Sequence, residues 1–430
     1  MNEKLLQFIW QFQYFKQSFS NLTDGNSIRI IKPGKLNTNQ GPDFIAGEIV
    51  VNNTRWVGNI ELHVNASDWY KHKHNSDCRY DNIILHVVWL DDLPVRDLLC
   101  NLLPTLVLQD KVANILLERY EVLMKGQTLL PCVSWLNTID ELVWTSWKER
   151  LVIERLTKRA EQIFDKLKQF RGDWERVCLI QIGSIFGGKV NANSFESTIQ
   201  SIPTVVLKRH RLDILQIEAL LLGQAGFLNK DLKDSYALTL QKEYLFLKNK
   251  YSLSPVQLQP QFLRMRPASF PTIRFAQLAV FLQKHPQLMQ QIKSIKSVNF
   301  FYQLFSVTAS KYWDTHYRFE KVSQYQKKEI GSQLKNSLLI NAITPILFAY
   351  GLYHQNSLYQ ELAIELLYQL PDEKNQALKI WESVPVKQNT AFDSQALLEL
   401  HQFYCEKKAC LSCTIGNGIL KKGVYLPVEL

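Results

Sequence analysis

Residues 41–63 read GPDFIAGEIVVNNTRWVGNIELH. The runs 44–51 and 56–64 are rich in β-branched and aromatic residues, and Asn52-Asn53 between them is a turn dipeptide. This pattern predicts two strands joined in a β-hairpin. Similar short apolar runs at 28–31 and 83–90 predict further strands of the same sheet.

Helical patterns surround these strands. Residues 5–15 form an amphipathic stretch that predicts a helix. Ser67-Asp68 is typical of the start of a second helix. Residues 102–108 fit a strand, and residues 110–124 fit a helix that follows it. Beyond residue 140 the apolar residues recur at three-and-four spacing. The sequence therefore predicts an α/β domain at 1–135, a mostly helical domain at 136–392 and a C-terminal helix with a metal knuckle at 393–430.

Three polar residues of the hairpin are candidate catalytic groups. Side chains alternate along a strand, so Glu61 and His63 are expected on one face, and the hairpin can bring Asp43 beside them. Paired carboxylates bind Mg²⁺ or Mn²⁺, which activate water and neutralise charge on a phosphate. The alternative is a hydrogen-bond network that holds the hairpin to a helix.

Other histidines follow closely. His86 interrupts an apolar strand and is expected to line the same pocket, unless it is a core histidine with its own partner. His72 and His74 lie in a basic helix end and loop, where they would either contact a substrate phosphate or remain solvated.

A second cluster lies near the C-terminus. A helix over 395–407 would place His401 and Cys405 on one face, and Cys410 and Cys413 form a CxxC turn. This set predicts a structural zinc site with three cysteines and one histidine. An iron–sulfur cluster with Cys132 or Cys178 as a distant donor is the alternative, and buried thiols without a metal are another.

Charge is distributed unevenly. Residues 1–135 contain 13 Lys and Arg against 14 Asp and Glu, whereas the whole chain contains 50 against 40, so the net positive charge lies beyond residue 135. Nucleic acid is the partner that such a basic region would favour. Arg264, Arg266 and Arg274 flank a proline-marked helix start and are candidate phosphate contacts, or else they brace helix ends.

Composition limits the classes of protein to which the chain can belong. The chain has 430 residues, 46% of them hydrophobic, and seven cysteines. An odd cysteine count without a visible export signal favours a cytoplasmic protein over a disulfide scaffold. The most apolar run, 337–353, is interrupted by polar residues and is expected to be a buried helix, with no membrane partner.

Two resemblances follow from these motifs. Pro42-Asp43 and Glu61-Leu62-His63 resemble the PD-(D/E)XK nuclease-like superfamily, which implies a restriction-endonuclease-like mixed sheet flanked by helices and metal-dependent nuclease activity. His63 stands where that pattern has the lysine that positions the attacking water, and the resemblance implies that His63 orients or deprotonates this water while Asp43 and Glu61 hold the metal. The whole chain is also similar to a bacterial family of unknown function with the motifs GPDF at 41–44, GNIELH at 58–63, SDW at 67–69, HxH at 72–74 and C-x4-C-x2-C at 405–413.

The expected function is metal-dependent phosphodiester cleavage of nucleic acid. A non-catalytic nucleic-acid or protein-binding module that keeps the fold and a structural metal is the alternative. No P-loop and no Gly-x-Ser-x-Gly elbow occurs in the sequence, so nucleotide hydrolysis and acyl transfer have no support.

Overall fold

The computed structural model describes residues 1–17, 21–126, 128 and 130–422. The chain divides into two compact units. The first contains the described residues of Met1–Trp147, Lys379–Val386 and Leu400–Leu430, and the second contains Lys148–Leu378 and Lys387–Glu399. The C-terminal segment with its three cysteines thus belongs to the same unit as the sheet.

The first unit is built on a six-stranded mixed sheet. Its strands are β1 Ile28–Lys32, β2 Lys35–Leu36, β3 Phe44–Val51, β4 Thr54–Asn65, β5 Ile83–Leu90 and β6 Thr105–Val107. The spatial order is β1-β3-β4-β5-β6, and β2 pairs with β3. The pairs from β1 to β4 are antiparallel, whereas β4, β5 and β6 run parallel.

The predicted hairpin is confirmed as the β3–β4 pair. Val51 pairs with Thr54 across the turn. Asn52 and Asn53 have φ of 46° and 68°, the left-handed conformation that asparagine tolerates well and that a tight two-residue hairpin requires. The turn fixes the register of the two strands, and thereby the position of Asp43 relative to Glu61.

The sheet separates two apolar clusters. One face packs against α1 Glu3–Gln11 and α3 Asn114–Lys125, with Ile60, Leu62 and Leu85 in that core. A smaller cluster on the other side contains Trp69 of α2 Asp68–Lys71, together with Val88. Residues of β4 and β5 that point to this second side are therefore enclosed without being part of the main core.

The remainder of the chain is mostly helical, as predicted. Its helices are α4 Glu141–Gln169, α5 Trp174–Ser201, α6 Thr204–His210, α7 Ile214–Gln224, α8 Ser235–Tyr251, α9 Pro271–Lys284, α10 Leu288–Lys293, α11 Val298–Leu304, α12 Ser332–Leu338, α13 Thr344–Tyr353, α14 Ser357–Gln369, α15 Ala391–Leu400 and α16 Thr414–Lys421. A short hairpin of β7 His316–Arg318 and β8 Lys321–Val322 interrupts them.

One apolar helical run has the length of a membrane span. Within the described ranges, Ser332–Tyr353 alone is long and apolar enough to cross a bilayer, and 67% of its most apolar window is buried inside the protein. It comprises α12, a π-helical turn at Leu339–Ile343 and α13. Such burial is typical of a core helix.

Gly58 is a position where the sheet admits no side chain. A Cβ there would lie 2.4 Å from Ile84 Cγ2 and 2.8 Å from the carbonyl oxygen of Asn82. We expect Gly58→Ala to lower the free energy of unfolding by about 1–3 kcal/mol, because overpacking shifts neighbouring groups. Urea denaturation measures this loss.

Gly418→Ala is the control, because a Cβ at this position in α16 has no neighbour within 4 Å. Its stability should equal or exceed that of the wild type. Equal stability of the Gly58 variant would show that β4 and β5 pack less closely than described.

Candidate functional site

Strand β4 places Glu61 and His63 on one face. Ile60, which precedes Glu61, and Leu62, which lies between Glu61 and His63, point into the main core. Glu61 and His63 therefore point to the opposite side. Glu61 Oε1 lies 3.8 Å from His63 Nε2. Their side chains are 5% and 1% exposed, so neither group is solvated as an ordinary surface residue would be.

Asp43 joins this pair immediately before β3. Its backbone N–H donates to Glu61 Oε2 at 2.9 Å, and its own Oδ2 accepts from the backbone N–H of Leu62 at 3.2 Å. Gln7 of α1 donates to Asp43 Oδ1 at 2.8 Å. Asp43, Glu61 and His63 therefore converge, as the hairpin predicts.

The two carboxyls are held where ionisation is costly. Burial raises the pKa of Asp43, and the neighbouring Glu61 carboxyl raises it further. Burial also raises the pKa of Glu61, to which Glu3 of α1 adds a like charge. The pair favours a shared proton or a bound cation over two bare negative charges.

Four imidazoles meet beside the carboxyls. His63 Nδ1 lies 2.9 Å from His86 Nε2, and His63 Nε2 lies 3.2 Å from His72 Nδ1. His74 Nε2 lies 3.3 Å from Glu61 Oε1. One ligand atom from each of His63, His72 and His74 falls within 4.8 Å of the others, an arrangement that suits a metal ion.

The backbone explains how these histidines meet. Parallel pairing sets Glu61 opposite His86, so both project to the same side of the sheet. His72 ends α2, and Lys73 takes a left-handed conformation with φ of 62°, which reverses the chain before His74. The HxH motif thereby folds back over β4.

Aromatic rings enclose the cluster. His74 stacks on Tyr80 with ring centroids 3.9 Å apart, and Trp69 contacts His63 edge-on. Burial lowers the pKa of His63 to about 2 and that of His86 to about 3, with neighbouring imidazoles adding to both shifts. His63 and His86 are therefore neutral at physiological pH, and neutral imidazole is the form that binds metals.

The sequence identified most of this site. Asp43, Glu61, His63 and His86 lie together, and His72 and His74, expected at a substrate phosphate, lie in the same cluster. Gln7, Trp69 and Tyr80 were not foreseen as part of it. Trp69 belongs to the SDW motif, whereas Gln7 and Tyr80 carry no local signal because their contacts depend on tertiary packing.

The candidate phosphate-binding arginines lie in the second unit. Arg274 donates to Gln277 Oε1 at 3.0 Å and to Ser269 Oγ at 3.4 Å, and burial lowers its pKa to about 10. These contacts brace the start of α9. Arg264 and Arg266 are exposed.

The C-terminal candidates lie in the first unit. His401 and Cys405 bound a π-helical turn, Cys410 begins a short 3₁₀ helix, and Cys413 is the N-cap residue of α16. His401 Nε2 lies 3.3 Å from Glu406 Oε1. Cys178, an alternative donor, is buried in the second unit with its sulfur 3.4 Å from Met289 Sδ.

Glu61 gives a pH-dependent prediction. Its pKa is higher in the folded than in the unfolded chain, so the folded state binds more protons, and Glu61 destabilises the fold as pH rises above about 4. Glutamine keeps the acceptor for Asp43 and cannot ionise. We expect metal-free Glu61→Gln to gain stability on the order of 1 kcal/mol at pH 8 and almost none at pH 4.5.

The matched control is Glu48→Gln, because Glu48 pairs with Arg55 at 2.7 Å and its pKa is lowered. That variant should lose stability at pH 8. Thermal denaturation in the presence of EDTA compares the two. If Glu61→Gln instead loses stability at pH 8, the Glu61 carboxylate of the wild type is stabilised by groups other than those described.

Comparison with known proteins identifies the family of the chain. Neither the curated proteins nor the solved structures give a significant match. A family model described as "Protein of unknown function (DUF2851)" matches residues 3–376. This span includes the sheet, the carboxyls and all four histidines of the site, and nearly the whole helical part. The chain therefore belongs to this family of unknown function.

Proposed function

We propose that the protein is a metal-dependent phosphodiesterase that cleaves nucleic acid, with a PD-(D/E)XK-like arrangement in the first unit. The observation that carries the proposal is the convergence of partly buried Asp43 and buried Glu61 with three imidazoles whose ligand atoms lie within 4.8 Å of one another. Perturbed carboxyls beside a neutral imidazole cluster are characteristic of catalytic sites.

The donor set fits a divalent ion. His63, His72 and His74 would supply three nitrogen ligands, and Glu61 lies beside them with Oε1 3.3 Å from His74 Nε2. Imidazole ligands suit Zn²⁺ best, and Mn²⁺ accepts them more readily than Mg²⁺, which prefers oxygen donors. Among the ions expected from the sequence, Mn²⁺ therefore suits the site better than Mg²⁺.

When bound, a divalent ion lowers the pKa of a water ligand and neutralises charge on a phosphate. The residues around it have separate tasks. His86 lies 2.9 Å from His63 Nδ1 and fixes the orientation of that ring, leaving His63 Nε2 on the side of His72. Gln7 holds Asp43 through Oδ1.

We assign proton transfer to the carboxyl pair, with Glu61 as the general base. The raised pKa of Glu61 lies closer to neutral pH, and a general base is most effective when its pKa is near the working pH. Oε1 is the Glu61 atom that faces His74. Asp43 positions Glu61, because its backbone N–H donates to Glu61 Oε2 at 2.9 Å. This assignment reverses the interpretation from the motifs alone, in which the carboxylates hold the metal and His63 acts on water.

Cleavage assays test the proposal. Protein freed of metal with EDTA and supplied with Mn²⁺, Zn²⁺ or Mg²⁺ should cleave at least one of single-stranded DNA, duplex DNA, branched DNA and RNA, with the highest rate in Mn²⁺. Glu61→Gln should lose at least 100-fold in rate, because loss of a general base costs about 10²–10⁴. Glu48→Gln should cleave at the wild-type rate.

Measurements of metal binding distinguish the two assignments of roles, in which either the imidazoles or the carboxylates hold the ion. If the imidazoles hold the ion, calorimetry should show Mn²⁺ binding to Glu61→Gln weakened by less than 10-fold, whereas His74→Ala should weaken it by 100-fold or more. The reverse order would assign the ion to the carboxylates. No cleavage of any substrate by wild-type protein loaded with each ion would contradict the proposed activity.

Nucleic-acid binding has its own test. The net positive charge of the chain lies beyond residue 135, so binding should depend on release of counterions from phosphates. Anisotropy of a labelled oligonucleotide should show affinity falling at least 10-fold between about 50 and 200 mM salt. Affinity that does not change with salt would exclude the phosphate backbone as the main contact.

A further inference from the structure

Charged, hydroxyl-bearing and aromatic residues line a cavity in the second unit. Its volume is about 610 Å³, which lies within the range of small-molecule binding sites. The residues that line it include Thr308, Lys311, Asp314, Thr315, Tyr325 and Lys327. The carboxyls and imidazoles of the proposed cleavage site belong to the first unit, so this cavity is a different feature of the chain.

Backbone hydrogen bonds join the two stretches of chain that line the cavity. The N–H of Ala309 donates to the carbonyl of Lys328 at 3.1 Å. Further along, the N–H of Gln326 donates to the carbonyl of Asp314 at 2.8 Å. The walls of the cavity are therefore held to each other at two points.

Buried side chains support the same walls. Trp313 Nε1 donates to Glu218 Oε2 at 3.0 Å, and both residues are buried. Buried Lys328 donates through Nζ to the carbonyl of Gln326 at 2.8 Å. Gln277 of α9 donates in turn to the carbonyl of Lys328 at 3.1 Å. These contacts fix the neighbouring lining residues without the help of a ligand.

Two lysines line the cavity without ionic partners. Lys311 and Lys327 are exposed, and within the part of the chain that the structure describes neither forms an ion pair. Lys328 differs, because its ammonium group donates to carbonyls of the cavity wall. Lysines at a concave surface attract anions, and phosphate is an anion that lysine commonly binds.

A carboxylate also lines the cavity. Asp314 Oδ1 is buried and accepts no hydrogen bond from the described residues. A buried carboxylate oxygen without a donor is costly, so a ligand that brings hydroxyl or N–H donors to Asp314 would remove that cost. The lining therefore suits a ligand that carries both an anionic group and hydrogen-bond donors.

An exposed ring supplies a surface for stacking. Tyr325 lines the cavity and is 67% exposed. Other rings nearby are already covered, since Trp313 is buried and Tyr312 stacks on His316 with ring centroids 4.1 Å apart. Nucleobases stack on such a ring whatever their sequence, because every base has a flat aromatic face.

We propose that this cavity binds a nucleotide, with the phosphate on Lys311 and Lys327, the base on Tyr325, and donors of the sugar or base at Asp314. A free nucleotide and the phosphorylated end of a strand present the same groups. The proposal does not depend on the cleavage proposed for the first unit.

Calorimetry of the full chain in EDTA tests the proposal, because EDTA prevents metal-dependent binding at the imidazole cluster. The probes are the four ribonucleoside 5′-monophosphates, a short 5′-phosphorylated oligonucleotide, ribose 5-phosphate and inorganic phosphate. At least one nucleotide or the oligonucleotide should bind about 10-fold more tightly than ribose 5-phosphate, because only the former stack a base.

The probes also distinguish the two sources of the ligand. A monophosphate that binds as tightly as the oligonucleotide identifies a free nucleotide, and tighter binding of the oligonucleotide identifies a strand end. Both results support the proposal. Failure of all nucleotides and the oligonucleotide to bind, or equal binding of ribose 5-phosphate, overturns it.

Matched variants place the ligand in the cavity. Lys311→Ala and Lys327→Ala should each weaken binding by about 10-fold, the loss expected for one hydrogen bond to a charged group. Tyr325→Ala should weaken it by about 10-fold through lost stacking, whereas Tyr325→Phe keeps the ring and should retain affinity. These side chains are exposed, so the variants are expected to fold.

Lys321→Ala is the control for surface charge. Lys321 is an exposed lysine of β8 and is not among the residues that line the cavity. This variant should bind as the wild type does. Wild-type affinity in the Lys311, Lys327 and Tyr325 alanine variants, or an equal loss in Lys321→Ala, would overturn the assignment to the cavity.

Discussion

Parallel pairing of β4 with β5 is the constraint on which the site depends. It sets Glu61 directly opposite His86 and leaves both side chains on the face away from the main core. The β3–β4 hairpin then delivers Asp43 to Glu61, and the return of the chain after α2 delivers His72 and His74. A shift of one residue in this pairing would turn the polar groups into the core and expose its apolar residues.

This arrangement brings together two kinds of titratable group, carboxyls with raised pKa values and imidazoles with lowered pKa values. The carboxyls of Asp43 and Glu61 resist ionisation because burial raises the pKa of both, and His63 and His86 resist protonation because burial among other imidazoles lowers their pKa. A fold selected only for stability would replace such groups with apolar residues of similar size. The proposed binding of a cation and transfer of a proton would account for their presence on the sheet beside Trp69 and Tyr80.

Local sequence patterns predicted the strands and their hairpin well. The runs at 44–51 and 83–90 coincide with β3 and β5, because β-branched residues between turn residues leave few alternatives. Alternation along β4 also predicted that Glu61 and His63 share a face. The roles of His72 and His74 could not be predicted, since they depend on the left-handed conformation of Lys73 and on stacking against Tyr80.

The central claim is that the imidazole and carboxyl cluster binds a divalent ion. Anomalous diffraction from crystals grown with Mn²⁺, recorded on both sides of the manganese absorption edge, tests this most directly. The account predicts one strong anomalous peak within bonding distance of His63, His72 and His74. Crystals containing Mn²⁺ with no peak among these residues, and with His63 still in contact with His72, would contradict it.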